Sequence, residues 1–289
     1  MKIKVYTLNA FGKTPLGGNP AGVVLNADKL NENQMKRIAS EVGFSETAFI
    51  MNSDRADFKL RFFTPSEEVD LCGHATIASF YLLSVLGIIS KGTYSQETKA
   101  GILNIDIEDD GTVYMTQPKP VFTDILDKDE VADSLNISAD KISDILPIET
   151  VSTGLPDIIV AVNSLKDLFS IDPDFDKISQ VSKKHKAVGY HVFTFETELD
   201  SVAHSRNFAP LYGITEESAT GTATGALASY LYKHNKISRD SLKTLNFEQG
   251  YSMKMPSEIK ARLEIQNKEI KSVKIGGKGS NLKEIYVEI

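Results

Sequence analysis

The chain has 289 residues, of which 41% are hydrophobic and 25% are charged, and its net charge is −7 at pH 7. This length suits one large domain or two ordinary ones, and the composition is that of a globular protein. The negative charge argues against the concentrated basic face that nucleic-acid binding needs, so we expect no nucleic-acid partner. The single cysteine excludes an internal disulfide and suits a reducing cytoplasm.

The chain begins with an alternating strand pattern, MKIKVYTLNAF, without an apolar signal region. Its longest apolar run, IASFYLLSVLGII at 77–89, is shorter than the roughly 20 residues of a membrane-spanning helix. We therefore expect a buried core helix at this run, no membrane partner and a cytoplasmic location.

Short alternating or apolar runs predict many β-strands in chain order. These runs are IKVYTL, GVVL, TAFIM, DFKLRFF, LNIDIE, TVYMTQP, DIIVAV, HVFTFE, ARLEIQ, KSVKI and EIYVEI. Clear helices are few: one from Asn31 to a terminal Gly43, one from about Asp176 to KKHK, and two that each follow a glycine. The acidic stretch from Pro118 to about Asp144 is the best candidate for a linker.

Two motifs occur twice, in the same order. Residues 61–65 and 206–210 share R-x-F-x-P, and residues 73–78 and 221–226 share G-x-A-T-x-A. Because both offsets are about half the chain, we infer two structurally similar halves, each with a strand, a loop and a glycine-led helix. Many strands and one buried helix per half predict an α+β fold in which each half wraps a curved sheet around its own helix.

The two glycine-led helix starts are candidate binding sites. Gly73 and Gly221 stand where the first helical N–H groups lack internal partners, and such groups bind anions. Glycine also lets a ligand approach the backbone closely. Either glycine alone favours another role, the packing of a helix against a strand. The duplicated pair favours two helix N-termini that grip a small carboxylate.

Glu46 and His74 are the candidate chemical groups. Glu46 opens an apolar strand, and a carboxylate in a dry environment suits general acid/base catalysis, although one glutamate also fits an exposed strand start. His74 lies inside a repeated motif, unlike the other histidines. Those expected to be structural are His185, His191, His204 and His234.

Cys72 has three competing roles: thiolate base, metal ligand, or small buried residue. A zinc site of Asp70, Cys72, His74 and Glu46 lacks the spacing usual for zinc ligands. A racemase with two thiol bases needs a second cysteine, but Thr220 occupies the corresponding position of the second motif. The residues therefore favour one carboxylate as the proton carrier.

The motifs resemble those of the PhzF-like proteins, which are related to phenazine-biosynthesis isomerases and, more distantly, to diaminopimelate epimerase and proline racemase. The blocks that carry the resemblance are GGNPAGVV, SETAFI, RFFTPSEEVDLCGHATIA, STGLPD, SRNFAP, EESATGTATGAL and FEQG. The resemblance covers nearly the whole chain. It implies two similar domains, residues 1–117 plus 281–289 and residues 118–280, each a β-barrel-like sheet around a central helix, with the active site between them.

The resemblance also implies a homodimeric isomerase without cofactor or metal, which moves a carbon-bound proton on a small carboxylate. It assigns catalysis to Glu46, His74 and Glu217. It carries Asn19 and Thr222 over as substrate-binding residues. Gly73 and Gly221, from the two helix starts, and Cys72, beside the first of them, complete the expected binding residues.

The chain departs from the family at two places. Glu217–Ser218 stands where the family usually has Asp-Pro, and Met255 stands where it often has arginine. The missing arginine predicts a substrate other than that of the phenazine enzymes. The alternative functions are an amino-acid racemase or epimerase that uses Cys72, and a catalytically idle protein that binds small acids.

Overall fold

The computed structural model describes residues 1–237 and 244–289. The chain divides into two compact units, residues 1–116 with 276–289 (unit 1) and residues 117–275 (unit 2). Strands dominate, as the sequence predicts. The helices are α1 Glu32–Val42, α2 Gly73–Val85, α3 Lys128–Ser134, α4 Leu165–Phe169, α5 Phe175–Lys184 and α6 Gly221–Lys233. The strands are β1 Lys2–Ala10, β2 Asn19–Val24, β3 Glu46–Met51, β4 Phe58–Phe63, β5 Glu68–Val69, β6 Gly92–Thr98, β7 Gly101–Ile107, β8 Val113–Gln117, β9 Val121–Ile125, β10 Glu149–Ser152, β11 Pro156–Ala161, β12 Gly189–Thr194, β13 Ala203–Ala209, β14 Ile214–Glu217, β15 Leu245–Gln249, β16 Ser257–Gln266, β17 Glu269–Gly277 and β18 Gly279–Glu288.

Unit 1 is a sheet with α2 packed against it. β1 pairs antiparallel with β2 and β18, β2 runs parallel to β3, and β3 is antiparallel to β4. β4 is parallel to β6, which begins an antiparallel series with β7 and β8. α2 contacts β1, β2, β3, β7 and β18, and it is apolar on all sides, as a core helix is.

The predicted core helix at 77–89 ends earlier than its apolar run. α2 stops at Val85, and Gly87 takes a left-handed φ of 69° that ends the helical path. Val85, Leu86 and Ile88 are exposed, so only the first part of the run is core. Among residues 1–237 and 244–289, no helix has the length and apolarity needed to cross a membrane.

Unit 2 has the same order of strand pairings. β10 is antiparallel to β11, β11 is parallel to β12, and β12 is antiparallel to β13. β13 is then parallel to β15, which is antiparallel to β16. α6, which is also largely buried, contacts β10, β11 and β16. Each glycine-led helix therefore lies against the sheet of its own unit.

The linker expected between Pro118 and Asp144 is wrong. This stretch forms β9 and α3, and β9 pairs with β10 of unit 2. Val131, Leu135 and Ile142 are buried in the core of unit 2. Most of the acidic residues face outward, which gives the stretch the composition of a linker although its apolar residues are packed.

The arginine of each R-x-F-x-P motif holds the segment before the glycine-led helix. Arg61 donates to both carboxylate oxygens of Glu68, at 2.7 Å each. Arg206 donates to both oxygens of Glu216 in the same way, at 2.9 and 2.8 Å. Each glutamate stands four residues before the N-cap of its helix. These two-fold, charge-assisted hydrogen bonds fix the approach to the helix start in both units.

Candidate active site

Three elements of unit 1 begin at candidate residues. β2 begins at Asn19, β3 begins at Glu46 and α2 begins at Gly73. β2 and β3 are parallel, with Ala21 opposite Glu46, so their amino ends share one edge of the sheet. α2 packs against both strands. The topology therefore brings the amino ends of the three elements together.

The side chains at this edge are in contact. His74 Nε2 lies 3.3 Å from Glu46 Oε2, and His74 Nδ1 lies 3.4 Å from the Asn19 amide nitrogen. An amide N–H that points at Nδ1 favours the tautomer with its proton on Nε2, towards Glu46. Cys72 Sγ lies 3.5 Å from His74 Nδ1. Glu46 keeps 19% of its side chain exposed, against 8% for His74, while its Oε2 is buried.

The start of α2 has an open first turn. The N-cap is Cys72, whose carbonyl accepts from Thr76 N at 3.0 Å and from Thr76 Oγ1 at 2.8 Å. The N–H groups of Gly73, His74 and Ala75 precede the first i→i−4 bond and have no partner within the helix. A Cβ on Gly73 would meet only the end of the Met115 side chain, at 3.5 Å. Packing against a strand therefore does not require this glycine.

The start of α6 in unit 2 has the same hydrogen bonds to its N-cap carbonyl. The carbonyl of its N-cap, Thr220, accepts from Thr224 N at 3.1 Å and from Thr224 Oγ1 at 2.9 Å. The threonine shared by the two G-x-A-T-x-A motifs thus ties the first turn to the N-cap carbonyl in both helices. The carbonyl of Thr222 accepts from Thr153 Oγ1 at 3.0 Å.

Glu217 belongs to a network around the same helix start. Thr220 Oγ1 donates to Glu217 Oε2. Gln249 Nε2 donates to the Glu217 carbonyl at 2.7 Å, and Gln249 Oε1 accepts from Thr220 N at 3.0 Å. Gln249 lies in the FEQG block, but no local pattern predicts a role for it.

The eight predicted site residues thus fall into two groups, each within one unit. Unit 1 brings together Asn19, Glu46, Cys72, Gly73 and His74. Unit 2 places Glu217 beside the start of α6, which includes Gly221 and Thr222.

The counterpart of Glu46 in unit 2 cannot be an acid/base. Gly189 begins β12 as Glu46 begins β3, and in both strands the next residue pairs with the phenylalanine of the R-x-F-x-P motif. A Cβ on Gly189 would lie 1.9 Å from the carbonyl oxygen of Phe208, so this position admits only glycine. Only unit 1 carries a carboxylate at this place.

Comparisons with known proteins agree with this architecture. The family model described as phenazine biosynthesis-like protein (PhzC-PhzF) matches residues 8–284. The chain belongs to this family. An uncharacterized isomerase from Clostridium acetobutylicum is 37% identical over 286 residues, which are 96% of this chain and 95% of the relative. The trans-2,3-dihydro-3-hydroxyanthranilate isomerase of Pseudomonas chlororaphis is 30% identical over 285 residues, 94% of each chain.

Solved structures confirm the fold of this PhzF-family chain. The crystal structure of a PhzF-family phenazine biosynthesis protein from Bacillus anthracis matches with a TM-score of 0.93 at 34% identity, and each chain is fully covered. A hydroxyproline epimerase from Agrobacterium vitis matches with a TM-score of 0.62 at 12% identity, covering 99% of this chain and 92% of the epimerase. The second likeness shows the shared fold alone. The predicted diaminopimelate epimerase-like α+β class is confirmed.

Asp157 is a buried acid that the sequence analysis missed. It is 2% exposed, and Asn207 Nδ2 lies 3.5 Å from its Oδ1. Burial, aided by the negative charge of Glu217, raises the pKa of Asp157 from 3.8 to about 7. The available signal was the one that selected Glu46: Asp157 precedes the apolar run IIVAV as Glu46 precedes TAFIM.

We expect the substitution Asp157→Asn to raise the free energy of unfolding of this protein at alkaline pH. Because the pKa of Asp157 is higher in the folded chain than in the unfolded chain, native stability falls as pH rises from about 4 to 7. The variant lacks this penalty, so we expect it to unfold with a free energy about 2–4 kcal/mol higher at about pH 8, and with no gain near pH 4. Urea unfolding at several pH values measures the difference. An equal effect at all pH values, or the same gain for the exposed Asp144→Asn control, contradicts the assignment.

The remaining histidines make the contacts of structural residues. His191 is fully buried, and burial lowers its pKa to about 3. His204 Nδ1 lies 2.8 Å from Glu248, which is also buried. His185 and His234 lie 3.0 and 2.9 Å from acidic side chains, Asp124 and Glu149 respectively.

Proposed function

We propose that this chain is an isomerase that moves a carbon-bound proton on a small carboxylic acid, with Glu46 as its single acid/base. The observation that carries the proposal is the contact of Glu46 and His74 beside the start of α2. Membership of the family and the isomerase names of full-length relatives support the reaction class.

In the proposed mechanism, the first turn of α2 binds the substrate carboxylate. The N–H groups of Gly73, His74 and Ala75 donate to its oxygens, and the positive end of the helix favours the negative charge. The same donors stabilise the charge that develops when a proton leaves the adjacent carbon.

Glu46 transfers the proton. Its carboxylate takes a proton from carbon and returns it to another carbon or to the other face, so that the enzyme ends as it began. His74 Nε2 faces Glu46 Oε2 at 3.3 Å without a hydrogen bond between them, and the ring is oriented by the Asn19 amide on its Nδ1 side. Asn19 is therefore assigned a positioning role through the imidazole ring.

The residues of unit 2 are assigned to substrate orientation. Gly221 and Thr222 lie in the first turn of α6, a second group of anion-binding N–H donors. Glu217 is held in place by Thr220 and Gln249, and we assign it to a polar group of the substrate. The repeated pairing order and the paired arginine–glutamate contacts support an internal duplication. The proposal includes a cofactor-independent, cytoplasmic homodimer.

The substrate class comes from the relatives. One full-length relative is named for a cyclic, unsaturated amino acid, trans-2,3-dihydro-3-hydroxyanthranilate. We propose a small acid whose proton shift is chemically similar. Met255 at a position where the family often has arginine supports a substrate that differs from that compound.

Solvent deuterium exchange tests the proposal. The protein is incubated in D₂O with a pool of small carboxylic acids that includes cyclic dienoic acids and amino-acid stereoisomers, and the compounds are read by mass spectrometry and NMR. Exchange of one carbon-bound hydrogen in one compound supports the proposal and identifies the substrate. Saturable binding of pool members without any exchange would instead identify a catalytically idle protein.

The second candidate is an amino-acid racemase or epimerase with Cys72 as a base. The position of Cys72 Sγ, 3.5 Å from His74 Nδ1, favours this alternative. Under the glutamate mechanism, we expect Cys72→Ala to keep activity within about threefold. Under the thiol mechanism, the same variant loses about 10²- to 10⁴-fold, the usual contribution of a general base. Exchange rates of the native protein and of Cys72→Ala, with Cys72→Ser as a size-matched control, distinguish the two.

A further inference from the structure

Asp157, which the proposed mechanism does not use, lies on the same face of the unit 2 sheet as Glu217. Directly paired residues of neighbouring strands place their side chains on one face of a sheet. Asp157 pairs with Gly189 in β12. Two positions along β12, His191 pairs with Asn207, which in turn pairs with Glu217. A row of polar side chains therefore crosses the sheet from β11 to β14.

This row faces α6 and not the apolar core of unit 2. The alternate residues of the same strands, such as Ile158, Tyr190 and Phe208, belong to that core. α6 is buried against β10 and β11 but lies outside the core cluster. Because β14 ends at Glu217 and α6 begins at Gly221, the row ends beside the start of α6.

Asp157 has the surroundings of a neutral acid. It is 2% exposed, and Asn207 Nδ2 approaches its Oδ1 at 3.5 Å across β12, where Gly189 carries no side chain. Among residues 1–237 and 244–289, no lysine or arginine pairs with this carboxyl group. A buried carboxylate without a cation is costly, so the protonated form is favoured, in agreement with a pKa raised to about 7.

We propose that Asp157 and Glu217 form an acid pair that holds one proton below neutral pH, and that loss of this proton above neutral pH weakens the binding of the substrate carboxylate at the start of α6. The effect on binding rests on the proposed function, because it requires a substrate carboxylate at α6. The acid pair itself does not depend on the proposed function.

Loss of the proton changes the charge beside the start of α6. The N-terminus of a helix carries roughly half a positive charge, which favours a bound carboxylate. With Asp157 protonated, the pair carries one negative charge, on Glu217. Ionised Asp157 adds a second negative charge in a buried place, where salt screens it poorly, and this charge opposes an anion at the helix start.

Two further titratable groups face α6 from the same side of the sheet. Burial lowers the pKa of His191 to about 3, so this ring stays neutral between about pH 6 and pH 9. Glu149 lies at the opposite end of α6, where it pairs with Lys233 and His234. The first six residues of α6, GTATGA, carry no titratable side chain. Asp157 is therefore the group expected to change the charge near the helix start in this range.

Carbon-13 NMR of protein labelled at its aspartate carboxyl groups tests the pair without any substrate. The signal that is absent in Asp157→Asn is assigned to Asp157 and followed from about pH 4 to pH 9. We expect a midpoint of about 7, which falls by about 0.5 pH unit or more in Glu217→Gln because a neighbouring negative charge is removed. Glu264→Gln, at an exposed position of β16, is the control and should leave the midpoint unchanged. Circular dichroism of each variant confirms that it is folded.

The pH dependence of KM tests the effect on binding. With a compound that exchanges in the deuterium assay, we expect the native KM to rise about three- to tenfold from pH 6 to pH 9, while kcat changes much less. In Asp157→Asn, KM should equal the native value at pH 6 and stay within about twofold of it up to pH 9, because the amide resembles the neutral acid. Asp144→Asn, at an exposed position of unit 2, should keep the native profile.

Either of two results would overturn the inference. The first is a midpoint of Asp157 below about pH 5, or one that Glu217→Gln leaves unchanged. The second is a KM that does not rise in the native protein, or that rises equally in Asp157→Asn. If Asp157 titrates as expected but no compound exchanges, the acid pair is confirmed, and its effect on substrate binding fails together with the proposed function. If exchange depends on Glu46 but Asp157 titrates as an ordinary acid, the proposed function is supported and the inference is wrong.

Discussion

Glu46→Gln is expected to lower the isomerisation rate about 10³-fold or more, the largest effect of any single substitution in this chain. The amide has nearly the shape of the carboxylate but cannot accept a proton from carbon, and a positioned general base contributes about 10²- to 10⁴-fold. No second carboxylate can substitute from the equivalent place in unit 2, because Gly189 admits no side chain there.

The same variant should fold normally. Among the described residues, Oε2 of Glu46 has no hydrogen-bond partner to lose, so we expect the free energy of unfolding to change by less than about 1 kcal/mol. The exchange rate in D₂O and urea unfolding measure the two quantities. Glu41→Gln, an exposed glutamate of α1, is the matched control and should leave both unchanged. Retention of more than a tenth of native activity in Glu46→Gln would refute the single-glutamate mechanism.

The sequence predicts best the features that local chemistry determines. Asn31 forms a capping box with Gln34, and Gly43 ends α1 with a φ of 72°, so both ends of this helix follow from the residues themselves. The same holds for the glycine-led helix starts, where a G-x-A-T-x-A motif supplies both the open first turn and the threonine that ties it.

Features that depend on distant contacts were not predicted. Gln249 reaches Thr220 across 29 positions of the chain, and no local pattern marks that contact. The repeated motif can be found in the sequence, but the pairing of Arg61 with Glu68 cannot. Arg61 lies in β4 and Glu68 in β5, so their contact depends on the turn that joins the two strands. Asp157 is a different case. Like Glu46, it stands directly before an apolar run, but only Glu46 was predicted as a site residue from this pattern.

Arg206 is the arginine of the second R-x-F-x-P motif. Among the described residues, we expect its ion pair with Glu216 to contribute most to the free energy of unfolding. Arg206 is 7% exposed, and besides both oxygens of Glu216 it donates to two backbone carbonyls, those of Leu168 and Ile171, at 3.1 and 2.9 Å. Arg206→Gln leaves a mostly buried carboxylate and two carbonyl oxygens without these donors. We expect this change to lower the free energy of unfolding by about 3–5 kcal/mol, the cost of breaking a buried ion pair from one side.

Two comparisons separate this effect from a general loss of charge. Arg55→Gln removes an arginine that is 67% exposed and 3.8 Å from Glu97, and we expect it to cost less than about 1 kcal/mol. Arg61→Gln should fall between the two, because Lys99 still pairs with Glu68 at 2.6 Å.

A double-mutant cycle isolates the Arg206 pair itself. If Arg206 mainly neutralises Glu216, adding Glu216→Gln to Arg206→Gln should cost little more, so that the two substitutions are non-additive by more than about 1 kcal/mol. Urea unfolding of the four proteins measures this coupling. Additive effects, or a loss below about 1 kcal/mol for Arg206→Gln, would show that the pair does not secure the segment before α6. A coupling above about 1 kcal/mol would show that the ion pair itself, and not a general loss of charge, stabilises the segment before α6.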